Sequence, residues 1–181
     1  MKVVSSLFVL FVTASVFTSC NSVKLENKRT VKRLNHSMDS LQKEFKKIDV
    51  IGYGSLLTEM NQTISQTKEL TDSMATLSNE FIQVYGSYSS AAKILSRTIN
   101  KRLNRIESGL ELSKKQIEYL FYDIKHDNIP NDSILIFIED EKRELLKLKH
   151  EVLTFNKSLK AQKEAFDATK AELDQLLKEI N

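Results

Sequence analysis

The strongest constraint on this chain is a seam in its C-terminal third. Ile138, Glu141, Leu145, Leu148, Val152, Phe155, Leu159, Gln162, Phe166, Thr169, Leu173, Leu176 and Ile180 step by three and four in strict alternation. That spacing keeps one mostly apolar stripe on one side of a helix. No Gly or Pro interrupts it. The pattern predicts a single helix from about Asp132 to Ile180.

A similar seam runs upstream through Leu70, Met74, Leu77, Phe81, Val84 and Tyr88, then Ala91, Leu95, Ile99, Leu103, Ile106, Leu110, Ser113, Ile117, Leu120 and Ile124. Three steps of four follow one another between Ala91 and Leu103, a phase slip that locally unwinds a coiled coil. Gly86 and Gly109 disfavour helix by about 1 kcal/mol each relative to Ala, but neither breaks the pattern. A third seam, Val31, Leu34, Met38, Leu41, Phe45 and Ile48, marks a first helix. The glycines of "DVIGYGS", Asp49 to Ser55, then predict an interruption.

Between the two long seams lies "HDNIPNDS". Pro130 does not fit a helix interior, and Ile129 before it is pushed out of the helical region. Asp132 or Ser133 can cap the next helix. A short turn makes antiparallel neighbours, level where residue numbers sum to about 259. The expected class is all-α: a long antiparallel helical hairpin or coiled coil with a shorter N-terminal helix, over about 28–49, 55–127 and 132–180. At 1.5 Å per residue these measure roughly 33, 110 and 73 Å, so the first and third nearly match the second. The alternative is a break near Ser78 or Ser87–Ser90 that folds the chain into a compact four-helix bundle. One Pro, four Gly and 28% charged residues suit either form.

The N-terminus sets the compartment. Lys2 is followed by Val3 to Phe17, an almost wholly apolar run. About 20 apolar residues are needed to span a bilayer, so this run is short for that and has the form of a signal peptide. It ends in Phe17-Thr18-Ser19-Cys20, which resembles a bacterial lipobox, although Phe17 stands where an aliphatic residue is usual. The resemblance implies a signal peptide over 1–19, a lipidated Cys20, a tether over 20–27 and a helical domain over 28–181. Cys20 is the only cysteine, so the mature chain would hold no free thiol, disulfide or cysteine metal site. Acyl chains contribute about 0.8 kcal/mol per buried CH₂, so two or three hold firmly. Asn21 is not the Asp that retains some lipoproteins in the inner membrane. "NSVKLENKRT" lacks the acidic run of some surface-exported ones. The resemblance therefore favours the periplasmic face of the outer membrane.

Few residues suggest catalysis. His36, His126 and His150 are far apart in sequence. "DIKHD" gathers Asp123, His126 and Asp127 near a turn, where such groups are usually solvated or charge partners of a helix end. No nucleophile motif, phosphate loop or H-E-x-x-H is present. The expectation is a non-enzymatic protein without cofactor or metal. A net charge of +3 is too small to indicate nucleic acid.

Charge patterning is more informative. No acid occurs from Phe81 to Ile106, where Lys93, Arg97, Lys101 and Arg105 recur every four residues with Arg102 beside them. Like charges at that spacing disfavour a helix slightly. Lys157, Lys160 and Lys163 form a second acid-free tract at the same height. Together they predict a basic band for an anionic glycan, lipid head group or acidic protein face, unless it is a solvated face. Lys24, Lys28, Arg29, Lys32 and Arg33 follow the anchor and could lean on anionic head groups.

Five apolar residues, Ile134, Leu135, Ile136, Phe137 and Ile138, cover every side of one helix turn, and Tyr119, Phe121 and Tyr122 overload the facing arm. A lone hairpin would expose this tip, so another helix, a second copy, a partner or lipid is expected to cover it. Asp-Ser-apolar recurs at Ser40, Ser73 and Ser133. It resembles the O-glycosylation signal of Bacteroidota envelope proteins, whose lipoboxes often read "TSC". The expected role is a helical scaffold, spacer or adaptor lipoprotein, with a protein partner or self-association. The alternatives are a periplasmic chaperone or binding module using the basic band, loosely similar in architecture to holdases, and a membrane-active protein using the tip.

Overall fold

The computed structural model describes residues 2–72 and 76–180, with side chains for 23–72 and 76–179. Four helices follow in order: α1 Lys2–Lys46, α2 Val50–Thr71, α3 Asn79–His126 and α4 Asn131–Ile180. No strand occurs among the described residues. The protein is all-α, and its helices pack as bundles. The contacts sort into two units, Met1–Lys43 with Gly109–Leu148, and Glu44–Ser108 with Lys149–Asn181.

The first unit packs α1 against the end of α3 and the start of α4. Its core includes Val31, Leu34, Met38 and Leu41 from α1, Leu110, Ile117, Leu120 and Ile124 from α3, and Ile134, Ile138 and Leu148 from α4. Ion pairs join Lys24 to Asp127 and Asp39 to Lys114, and the Gln42 amide donates to the Leu110 carbonyl at 3.3 Å. Numbers rise on α1 as they fall on α3, so the two run antiparallel.

The second unit packs α2 against the start of α3 and the end of α4. Tyr88 meets Phe166 at 5.7 Å between ring centroids, the Thr98 and Ser158 hydroxyls bond at 3.1 Å, and Arg102 donates to Thr154 Oγ1 at 2.6 Å. These pairs make α3 and α4 antiparallel. Phe45 against Phe155, 6.1 Å between centroids, and Glu59 with Lys170 rise together, so the end of α1 and α2 run parallel to α4.

Most seam positions are buried. Phe81, Val84, Tyr88, Ala91, Leu95 and Ile106 are core, as are Val152, Phe155, Leu159, Phe166 and Leu173. The slip between Ala91 and Leu103 has a structural expression: Thr98 is buried there, while Ile99, Arg102 and Leu103 are half-buried. Burial passes across two phases instead of following one.

Four expectations need correction. The helix expected over 55–127 is two helices, α2 and α3, with the break where the bundle alternative placed one, near Ser78. The segment "LTDS…TLSNE" is rich in side chains that bond locally to backbone. Ser78 Oγ accepts from the Phe81 amide at 3.1 Å and caps α3, and Glu80 suits the positive end of its dipole. The seam through Leu70 and Leu77 therefore does not exist as one helix face: Leu70 is exposed, and Met74 lies outside the described residues.

The interruption expected within Asp49–Ser55 falls at 47–49. Asp49 accepts from the Gly52 amide at 2.8 Å, so α2 begins at Val50 and both glycines are helical. The tether expected over 20–27 is helical, and Asn27 at its end is buried, although Val23 and Leu25 are exposed. Finally, α4 starts at Asn131, before Asp132 and Ser133, and the Ser133 hydroxyl turns to Asp132 at 3.3 Å. Neither residue caps it.

The register between α3 and α4 also shifts. Within each unit, level residues sum to about 256, three fewer than the turn composition suggested. α3 ends at His126, and Asp127 takes a left-handed backbone, φ 59, that stops it. The Asn128 amide then bonds back to the Asp123 carbonyl at 3.0 Å. This is a C-terminal cap made by an aspartate where glycine is usual.

Two glycines in α3 differ in their surroundings. A Cβ on Gly109 would lie 2.8 Å from Leu148 Cδ2, whereas one on Gly86 would meet nothing within 4 Å. Gly86→Ala should therefore raise unfolding stability by roughly 1 kcal/mol, the helix-propensity difference. Gly109→Ala should gain less or destabilise, because Leu148 must move. Chemical denaturation of both variants checks this. Equal gains would mean that the α3–α4 approach at Gly109 is looser than described.

Candidate functional site

Two surfaces could carry function: the helix-turn-helix end of the first unit and the grooves beside α2 in the second. At the first, α3 and α4 converge on a polar turn. His126 Nδ1 bonds to the Tyr122 carbonyl at 2.8 Å, and its ring lies 4.1 Å from the Tyr122 ring. Asp123 accepts from the Asn128 amide group at 3.0 Å. Lys24 holds the Asp127 carboxyl below the usual carboxylate range, with Lys28 and His126 adding to the effect. The "DIKHD" groups are thus engaged separately. No cluster of three or more His, Cys, Asp or Glu able to hold a metal occurs among the described residues.

The overloaded tip divides by helix face. Ile134 and Ile138 are 2% and 1% exposed and belong to the core, so α1 and α3 cover part of the run. Leu135, Ile136 and Phe137 are 58%, 61% and 45% exposed. Tyr119, Phe121 and Tyr122 are exposed on α3 as well. Exposed aromatic and aliphatic side chains thus stand on both helices beside the turn, spread round their outer sides as an uncovered shoulder.

The residues expected as one basic band separate. Lys93, Arg97 and Lys101 border a groove between α2 and α3 together with Asn61, Ile64, Ser89 and Asn100. Lys160 borders a different groove, with Glu44, Asp49 and Tyr53. Lys160 and the three α3 cations therefore border different grooves. Arg102 turns inward to the Glu151 carbonyl and Thr154. Arg105 pairs with the Glu151 carboxylate at 3.4 Å, and Lys163 with Asp167 at 2.7 Å. Lys157 is exposed. Arg102 and Arg105 therefore clasp α3 to α4, a role that four-residue spacing could not distinguish from a surface row.

Of the other expected positions, Ser40 is exposed in α1 and its hydroxyl donates to the His36 carbonyl at 3.0 Å. Ser133 is half-buried. Ser73 lies outside the described residues, and Cys20 outside those whose side chains are described. In the basic cluster that follows, Lys24 is paired, and Arg29 and Arg33 lie 3.8 and 3.9 Å from Glu26. Lys28 and Lys32 make no ion pair among the described residues. No described helix is long and apolar enough to cross a membrane.

No protein-family model, curated protein or solved structure matches this chain. Its reading therefore rests on its own residues.

One buried group stands apart. Glu141 occupies a seam position and is half-buried as a residue, but its Oε2 is buried with no hydrogen-bond partner among the described residues. Burial pushes its carboxyl above the ordinary range, and Asp140 and Glu144 push the same way. A carboxyl that binds its proton more tightly when folded contributes most below its unfolded value, and that contribution is lost as pH rises through the folded value. Leaving a buried acceptor unpaired costs about 1–3 kcal/mol. Because the side chain is half-exposed, Glu141→Leu should stabilise the protein at neutral pH by no more than the lower end of that range, about 1 kcal/mol, with a smaller gain below about pH 4. Melting temperature against pH checks this. A gain independent of pH would show that added apolar burial, not relief of the carboxylate, is responsible.

Proposed function

We propose that this chain is a non-enzymatic adaptor of the bacterial envelope, lipid-anchored through Cys20 at the periplasmic face of the outer membrane. It works by docking a protein neighbour at the membrane surface. The observation that carries this reading is the uncovered shoulder of Tyr119, Phe121, Tyr122, Leu135, Ile136 and Phe137 beside the turn. Exposed apolar surface of this kind marks an interface, and aromatic residues are enriched in such interfaces.

The anchor supports the placement. Cys20 precedes Lys24 by four residues, a reach of at most about 14 Å, and Lys24 is paired to Asp127 in the turn. An acylated Cys20 therefore keeps the shoulder near the bilayer surface. Insertion into the acyl layer is disfavoured, because Asp123, Asp127, Asn128, Asn131 and Asp132 ring the same end and would lose their hydration. A protein surface beside the membrane satisfies the apolar shoulder without burying those groups.

Cys20→Ser should abolish incorporation of labelled palmitate and release the protein from the membrane fraction. A photo-crosslinking residue at position 136 should capture a defined protein in cells, and Ile136→Ser with Phe137→Ser should lose that partner without unfolding the chain. Dye release from liposomes by the anchor-free chain, or cross-links to lipid alone, would contradict the adaptor reading in favour of membrane activity.

A further inference from the structure

The α2–α3 groove of the second unit is a separate site. We propose that it binds a linear anionic glycan, gripping successive carboxylates or phosphates with Lys93, Arg97 and Lys101. This site is independent of the shoulder and of lipidation.

Three observations carry it. First, the cations stand at four-residue steps along one helix, so neighbouring charges are about 6 Å apart and the row spans about 12 Å. That spacing suits a chain bearing one charge per sugar or per linking phosphate. Second, the row is uncompensated. Lys93, Arg97 and Lys101 are exposed and make no ion pair or hydrogen bond among the described residues, whereas Arg102 and Arg105 further along the same helix are both engaged. On α2 the only acid between Val50 and Lys68 is Glu59, which is held by Lys170. Like charges four apart work against the helix that carries them, so folding does not explain the row.

Third, the cations line a concavity and not a convex helix face. The groove holds about 580 Å³, open to solvent, over a floor that includes Ile64 and Ala92. Asn61, Ser89, Ser96 and Asn100 border it. Their amide and hydroxyl groups can bond sugar hydroxyls, while an apolar floor accepts the face of a sugar ring. Fixed cations beside carbohydrate-type donors and acceptors point to a glycan and not to a bare inorganic anion.

The test uses the chain from residue 21, so the outcome does not depend on the anchor. Binding to oligogalacturonate of defined length is measured by calorimetry, with a phosphodiester-linked glycan, polyphosphate, neutral dextran and poly-glutamate as comparison ligands. Oligogalacturonate should bind at low salt, weaken as ionic strength rises, and exceed both dextran and poly-glutamate. Stronger binding of a phosphate-bearing glycan than of oligogalacturonate would assign the charge to phosphate instead of carboxylate within the same proposal. The variant Lys93→Gln, Arg97→Gln and Lys101→Gln should lose at least tenfold in affinity while melting no lower than the parent, because the like-charge row is removed. Lys157→Gln with Lys160→Gln should leave affinity within twofold. Equal losses from both variants would show non-specific attraction to net charge and overturn the site. Poly-glutamate binding as tightly as the glycan would overturn the ligand class, as would polyphosphate alone.

Discussion

The antiparallel contact between α3 and α4 governs what the rest of the chain can do. Each helix offers one apolar stripe, and burying that stripe fixes which side chains are left outside. In the second unit the contact is pinned by Thr98 with Ser158, by Arg102 reaching Glu151 and Thr154, and by Tyr88 on Phe166. In the first it is set by the absence of a side chain, where Gly109 admits Leu148. Polar clasps and a missing Cβ determine register more sharply than interchangeable aliphatic contacts, which tolerate sliding by a heptad. A third helical segment then completes each unit: α1 in one, α2 in the other.

Both candidate surfaces are residues of that packing. Five consecutive apolar residues cannot all enter a seam, so burying Ile134 and Ile138 leaves Leu135, Ile136 and Phe137 exposed. The α3 cations divide by the same rule. Arg102, at the phase slip, is drawn into the contact with α4, and Arg105 follows it to Glu151. Lys93, Arg97 and Lys101 face α2, which brings no free acid to them. One geometric choice thus produces an apolar shoulder in one unit and an unneutralised groove in the other.

The helical class, the seams of α1 and α4 and the turn at Pro130 were legible because periodicity and proline act locally. The break before α3 was harder to place. The residues Leu70, Met74 and Leu77 keep a heptad rhythm across it, and the deciding factor is a cap: one hydroxyl of Ser78 on one amide of Phe81. The α1 start was misjudged for a different reason. Residues 23–27 carry little apolar pattern, and the partner that Lys24 finds, Asp127, is about a hundred residues away in sequence. The separation of the basic band was equally illegible, since spacing gives the height of a charge along a bundle but not which of two grooves it borders.

A disulfide-trapping pair tests the register on which this account rests. In a chain lacking Cys20, Thr98→Cys with Ser158→Cys should form an intramolecular disulfide readily, because the native hydroxyls already meet at 3.1 Å and cysteine pairing demands such proximity. Thr98→Cys with Ala161→Cys, which matches the alternative sum of about 259, should not. Preferential cross-linking of the second pair would contradict the register, and with it the exposure of the shoulder and the separation of the two basic tracts.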